Sequence, residues 1–107
     1  MSRLEKLQQF LALEPDDSFT KYAIGLEYAS MKEYPAAITH FEELLDKDPA
    51  YVATYYQLAD AYRISGNNDK AIETYKTGIT AAKNANDLHA ASELQAAWDD
   101  LEDELES

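Results

Sequence analysis

The chain contains no cysteine. A disulfide framework, thiolate metal sites and a cysteine nucleophile are thereby excluded. Proline and glycine are scarce, three of each in 107 residues, which excludes collagen-like and linker-like chains. Long apolar runs are missing as well. The longest, Phe10 to Leu13 and Ala50 to Ala53, are four residues each, far short of what a membrane-spanning helix needs. The opening residues Met1-Ser2-Arg3-Leu4-Glu5-Lys6 lack the apolar stretch of a signal peptide, so the cytoplasm is the expected compartment.

Positive charge is also in short supply. Nine Lys and Arg face 21 Asp and Glu, a formal charge of −12. No basic residue follows Lys83, while residues 84–107 hold eight acids. A field of this sign repels phosphates, which argues against nucleic acid and against anionic membranes as direct partners. It favours solubility and speeds encounters with basic partners. The plainer reading is that these acids solvate a surface. Seven Lys against two Arg lean away from salt adaptation as the cause.

What is present is an ordinary folded-domain composition, with 46% hydrophobic and 28% charged residues. Apolar residues recur at helical spacing throughout and nowhere alternate, so six helices and no strand are expected. The first is predicted over residues 3–13, opened by a capping box from Ser2 to Glu5. Glu14-Pro15-Asp16-Asp17 stops it and caps a second over 18–31. The others are predicted over 34–46, 51–64, 69–84 and 88–104. Lys47-Asp48-Pro49 and Ser65-Gly66 mark two of the breaks, and Asn67 and Asn86-Asp87 begin the last two helices.

Shifted by 34 residues, the sequence overlays itself. Ile24-Gly25 meets Leu58-Ala59, Tyr22 meets Tyr56, Tyr28 meets Tyr62, Ala37-Ile38 meets Ala71-Ile72, and Phe41 meets Tyr75. Small residues let two antiparallel helices approach, and aromatics fill the space beside them. This order and period resemble the tetratricopeptide repeat, and the chain is similar to small stand-alone proteins of bacterial type in that family. The resemblance implies an all-α, short right-handed solenoid of antiparallel helix pairs. It divides the chain into a half-repeat helix (3–17), repeat one (18–51), repeat two (52–85) and a capping helix (86–105). The capped start at Ser2 and the acidic end are read as those of a self-standing unit. Four departures from the family pattern stand out. Lys21 replaces a large aromatic, Lys32 replaces the turn glycine, Asn68 lacks the aromatic that Tyr34 supplies, and Lys83 replaces the closing proline. The turn at Lys32 is therefore expected to bend differently from that at Gly66, and the fifth helix to outrun the third.

No constellation in the sequence asks for catalysis. His40 and His89 have no metal-like partner set; His40 is read as facing solvent and His89 as lying near a helix interface. The acids at Asp99, Asp100, Glu102, Asp103, Glu104 and Glu106 are expected to fan around their helix without converging on a metal. No cofactor and no metal are expected. Eight tyrosines are the compositional oddity. Tyr28, Tyr62 and Tyr75 match packing positions and are read as core. Tyr22 and Tyr56 fall on the helix face that the family turns toward its concave groove. Neighbours on that face make a strip of Phe19, Tyr22, Leu26, Ala53, Tyr56, Asp60 and Arg63. The alternative is that the sixth helix folds back over it. The resemblance implies a non-catalytic protein–protein interaction module that captures a peptide or helical segment there, its partner basic or amphipathic given the charge. Capture of acidic chaperone tails, known in one branch of the family, is disfavoured because Arg63 is the strip's single cation. The runner-up is self-association as a homodimer or larger homo-oligomer. Leu94, Trp98, Leu101 and Leu105 recur at 4-3-4 spacing and could form a packing seam.

Overall fold

A computed structural model describes all 107 residues as six α-helices and no strand. They are α1 (Arg3–Leu13), α2 (Ser18–Ser30), α3 (Tyr34–Lys47), α4 (Ala53–Ile64), α5 (Asn68–Asn84) and α6 (Leu88–Glu106). Each packs chiefly on its neighbours in sequence, and α2 also touches α4. The result is an elongated body of 45 × 30 × 19 Å, an all-α helical repeat solenoid.

Local chemistry sets the boundaries. Ser2 and Glu5 form a reciprocal capping box. The side chains of Asp17, Asn67 and Asp87 accept the backbone N–H of Thr20, Lys70 and Ala90 and so cap α2, α5 and α6. The fourth helix starts at Ala53 and not at the expected Tyr51. Tyr51 N–H donates to Asp48 C=O and Thr54 N–H to Tyr51 C=O, so a tight turn precedes the ladder.

The turn at Lys32 is a second correction. It is built like the one at Gly66. Lys32 (φ 61°) and Gly66 (φ 83°) are both left-handed. Glu33 and Asn67 then donate across the helix end to Tyr28 C=O and Tyr62 C=O, each at 2.9 Å. Asn86 (φ 57°) repeats the pattern, with Asp87 donating to Ala82 C=O. Lys32 therefore carries the glycine conformation without the glycine.

The core runs through the middle of the stack. Phe41, Tyr55, Leu58, Tyr75 and Leu94 sit within one buried cluster. Ala37, Ala59 and Ala71 are fully enclosed where helices approach. Gly25 and Gly78 permit the closest approaches: a Cβ on Gly25 would overlap the Phe41 ring, and one on Gly78 would lie 2.6 Å from Tyr55 Cβ. Tyr62 and Tyr75 are buried as expected. Tyr28 is half-buried, packed against the core cluster, and stacks at 5.0 Å on His40, which is half-buried and not solvent-facing as expected. His89, expected near an interface, is exposed and pairs with Glu93 at 2.9 Å.

α1 contributes no buried residue. Phe10 and Leu13 stay largely in water, because α2 covers one side of the helix and nothing covers the other. At the far end, α5 is 17 residues long against 14 for α3. With no proline near Lys83 to stop it, it runs on and carries α6 further along the stack.

Candidate functional site

α6 does not fold over the aromatic strip. It stands opposite α4 as the far wall of a trough, with Tyr75 of α5 between them. The trough comprises two adjoining cavities of about 430 and 340 Å³ that share Tyr56 and Glu93. One brings together Tyr22, Ala53 and Tyr56 with Gln57, Ala90 and Leu94. The other brings together Tyr56, Asp60 and Arg63 with Tyr75, Ala97 and Leu101. Five of the seven strip residues thus meet in one place. Phe19 and Leu26 line neither cavity: Phe19 is 65% exposed, and Leu26 packs against the core.

Tyr56 is 40% exposed and presents its ring where the two cavities join. Tyr22 is half-buried, held between Phe41 and Tyr51 at ring-centroid distances of 6.1 and 5.6 Å. Burial pushes its phenol, like that of Tyr75, above the ordinary tyrosine range. Asp60 and Arg63 bind each other at 2.7 Å. The hydrogen bond to Asp60 raises the Arg63 pKa, and Glu104 acts in the same direction. The pair is internally neutral, so the sign of the trough is set elsewhere.

It is set by α6. Glu93, Asp100 and Glu104 all line the second cavity. Their spacing of seven and four residues puts them on one helix face. Of the acids expected to fan around this helix, Asp100 and Glu104 line the trough, where Glu93 joins them. The signal lay in the sequence, in the spacing Glu93–Ala97–Asp100–Glu104, which sets three carboxylates and one small residue on one face.

The hydrophobic residues of α6 serve a different end. Leu94 and Leu101 are 1% and 2% exposed, packed inside their own chain. Trp98 is half-buried, its indole N–H donating to Glu102 at 2.9 Å and Lys76 lying over its ring. Leu105 is exposed. These four residues therefore form no continuous exposed seam, because two of them close the end of the stack.

A right-handed stack of helix pairs with an open aromatic trough defines a helical-repeat protein. The tetratricopeptide repeat family model matches residues 28–98, and the chain belongs to that family. It is 24% identical over 91 residues to a TPR repeat-containing protein of Pseudomonas aeruginosa, covering 85% of this chain and 87% of that protein. It is similar to a tetratricopeptide repeat domain protein from Salinibacter ruber solved by NMR, at 40% identity and TM-score 0.78, over 82% of this chain and 89% of that one. The fold also matches the TPR2B-domain–pHsp70 complex of yeast Sti1, at 20% identity and TM-score 0.88, over 94% of this chain and 81% of that one.

Proposed function

We propose that the protein is a non-catalytic interaction module that holds a peptide or helical segment of a partner protein in the trough between α4 and α6. The observation that carries this reading is Tyr56, a large aromatic left 40% exposed at the junction of two cavities. An aromatic with a polar tip, half in water beside an unfilled cavity, is the residue type that anchors protein interfaces. Tyr22 and Ala53 extend the apolar surface on one side, and the Asp60–Arg63 pair provides a polar edge on the other. The excess of carboxylates favours a basic or amphipathic partner. The Sti1 domain of the same fold, solved in complex with pHsp70, supports peptide capture as a use of this architecture.

The test compares wild type with Tyr56→Ala, which removes the anchor, and Ala53→Trp, which fills the neighbouring cavity. Both residues are solvent-exposed, and circular dichroism would verify that the fold is kept. In a native pull-down read by mass spectrometry, the expected result is a protein retained by wild type and lost by both variants. Equal recovery by all three would sink the trough as the binding site.

A further inference from the structure

The helices at the two ends of the stack each lack a neighbour on one side. α3 lies between α2 and α4, and α5 between α4 and α6, whereas α1 packs chiefly on α2 and α6 chiefly on α5. The repeat register says what each end is missing. Leu7 and Leu11 stand one period before Phe41 and Leu45, so α1 corresponds to α3 and α5. It is the second helix of a pair, without its first. α6 corresponds to α2 and α4. Buried Ile24, Leu58 and Leu94 align along these three helices, and so do Tyr28, Tyr62 and Trp98, the last step lengthened by the long α5. α6 is therefore the first helix of a pair, without its second.

Both open faces carry apolar surface. Phe10 and Leu13 on α1 and Leu88 and Leu105 on α6 are half or more exposed. A cavity of about 350 Å³ opens beside α6, lined by Ile79, Lys83, Leu88, Ala91, Ser92 and Gln95. It shares no residue with the trough.

The register also fits the two faces to each other. Gly78 of α5 lies against Tyr55 of α4. At the matching positions stand Phe10 on α1 and Ala91 on α6. Large and small are exchanged, and the open cavity beside Ala91 has room for the ring. Gly25 lies against Phe41, and the matching residues are the larger Gln95 and the smaller Leu7. Tyr28 stacks on His40; their counterparts are Trp98 and Lys6, a ring and a cation. Lys6 is exposed and forms no salt bridge within the chain. Charge agrees with this pairing. Arg3 and Lys6 outweigh Glu5 in residues 1–13, while residues 84–107 hold eight acids and no base. Unlike ends attract, and two α6 faces would bring acids together.

We propose that the protein assembles head to tail, α1 of one copy packing on α6 of another as the second helix of its pair. Phe10 enters the cavity beside Ala91, and Lys6 lies over Trp98. Each copy uses a different surface at each end, so the contact is heterologous and either closes as a ring or continues as a filament. The trough, on another face of α6, stays open along such an assembly.

The test is sedimentation equilibrium of the full chain over about 1 µM to 1 mM, with wild type, Phe10→Asp, Leu88→Asp, Lys6→Glu and Tyr56→Ala. Phe10 and Leu88 are exposed, and circular dichroism would verify that each variant keeps its helices. Wild-type mass should climb past that of a dimer as concentration rises. Phe10→Asp blocks one end and Leu88→Asp the other, so each alone should stay monomeric. Their equimolar mixture should form a dimer and stop there, because each variant keeps the surface that the other has lost. Lys6→Glu should weaken association by about fivefold, and Tyr56→Ala should assemble as wild type does. A wild type that stays monomeric or stops at a dimer would overturn the proposal, as would a mixture that stays monomeric. Dimers of Leu88→Asp alone would assign the contact to two α1 faces, and dimers of Phe10→Asp alone to two α6 faces; either overturns it. Assembly indifferent to Lys6→Glu, Phe10→Asp and Leu88→Asp alike, or lost on Tyr56→Ala, would place the contact elsewhere and overturn it too.

Discussion

At three helix ends the backbone turns through the left-handed region, and three different residues do it: Lys32, Gly66 and Asn86. Glycine enters this region freely, asparagine does so at small cost, and lysine does so against its Cβ. A Cβ at Gly66 would meet nothing within 4 Å, so its advantage is purely conformational. Lys32→Gly should therefore raise stability by ~0.5–1 kcal/mol, and Gly66→Ala should lower it by ~1 kcal/mol. Urea unfolding midpoints would measure both. A Lys32→Gly variant no more stable than wild type would mean that the side chain contributes something the turn geometry does not show. At this scale the sequence was readable where a residue has one dominant use. The cap at Asp17 and the turn at Gly66 follow from residue type. Lys32 was misjudged because neighbouring helices, not its own preference, dictate its conformation. Asp60 and Arg63 share a helix face by their spacing, but their mutual pairing depends on rotamers that no spacing rule supplies.

Among the helices, close approach is the controlling variable. Gly78 of α5 is clamped between α4 and α6, with an added Cβ 2.6 Å from Tyr55 Cβ and 3.1 Å from Leu94 Cδ1. Gly78→Ala gains helix propensity of up to ~1 kcal/mol but overpacks at ~1–3 kcal/mol. The expected net result is a loss of ~1–2 kcal/mol, visible in thermal or urea melts. A gain would show that α6 can shift without cost. The helices and their 34-residue period were legible because each carries its own apolar stripe and its own stop signal. The α6 wall of the trough was not legible to the same degree. Where α6 stands depends on how far α5 runs past Ile79, and only the missing proline at Lys83 hinted at that. Leu94 and Leu101 illustrate the same limit. Their 4-3-4 spacing is what a seam between chains and a seal within one chain both require, and only the folded stack shows them buried against α5.

For the molecule as a whole, tyrosine burial sets an upper limit on pH. Burial holds the phenols of Tyr22, Tyr51, Tyr55, Tyr62 and Tyr75 above their ordinary range. The bond from Tyr62 to Glu42, at 2.7 Å, adds to its shift. A phenol whose pKa is higher in the folded chain keeps its proton longer there than in the unfolded chain. Its contribution to stability is complete below about pH 10 and is lost as pH climbs through the folded values. Urea midpoints should therefore show no tyrosine-linked change up to about pH 9 and a steep fall above pH 10. An unchanged midpoint at pH 11 would contradict the burial seen here. The layout of the stack has a mechanical consequence. With contacts running almost wholly between helices adjacent in sequence, no distant part of the chain staples another. Under tension applied at the two termini the protein can peel helix by helix, beginning with α1, which has no fully buried residue. A segment seated between α4 and α6 would bridge two helices that the chain itself leaves apart, and so would serve the stack as the rivet it lacks.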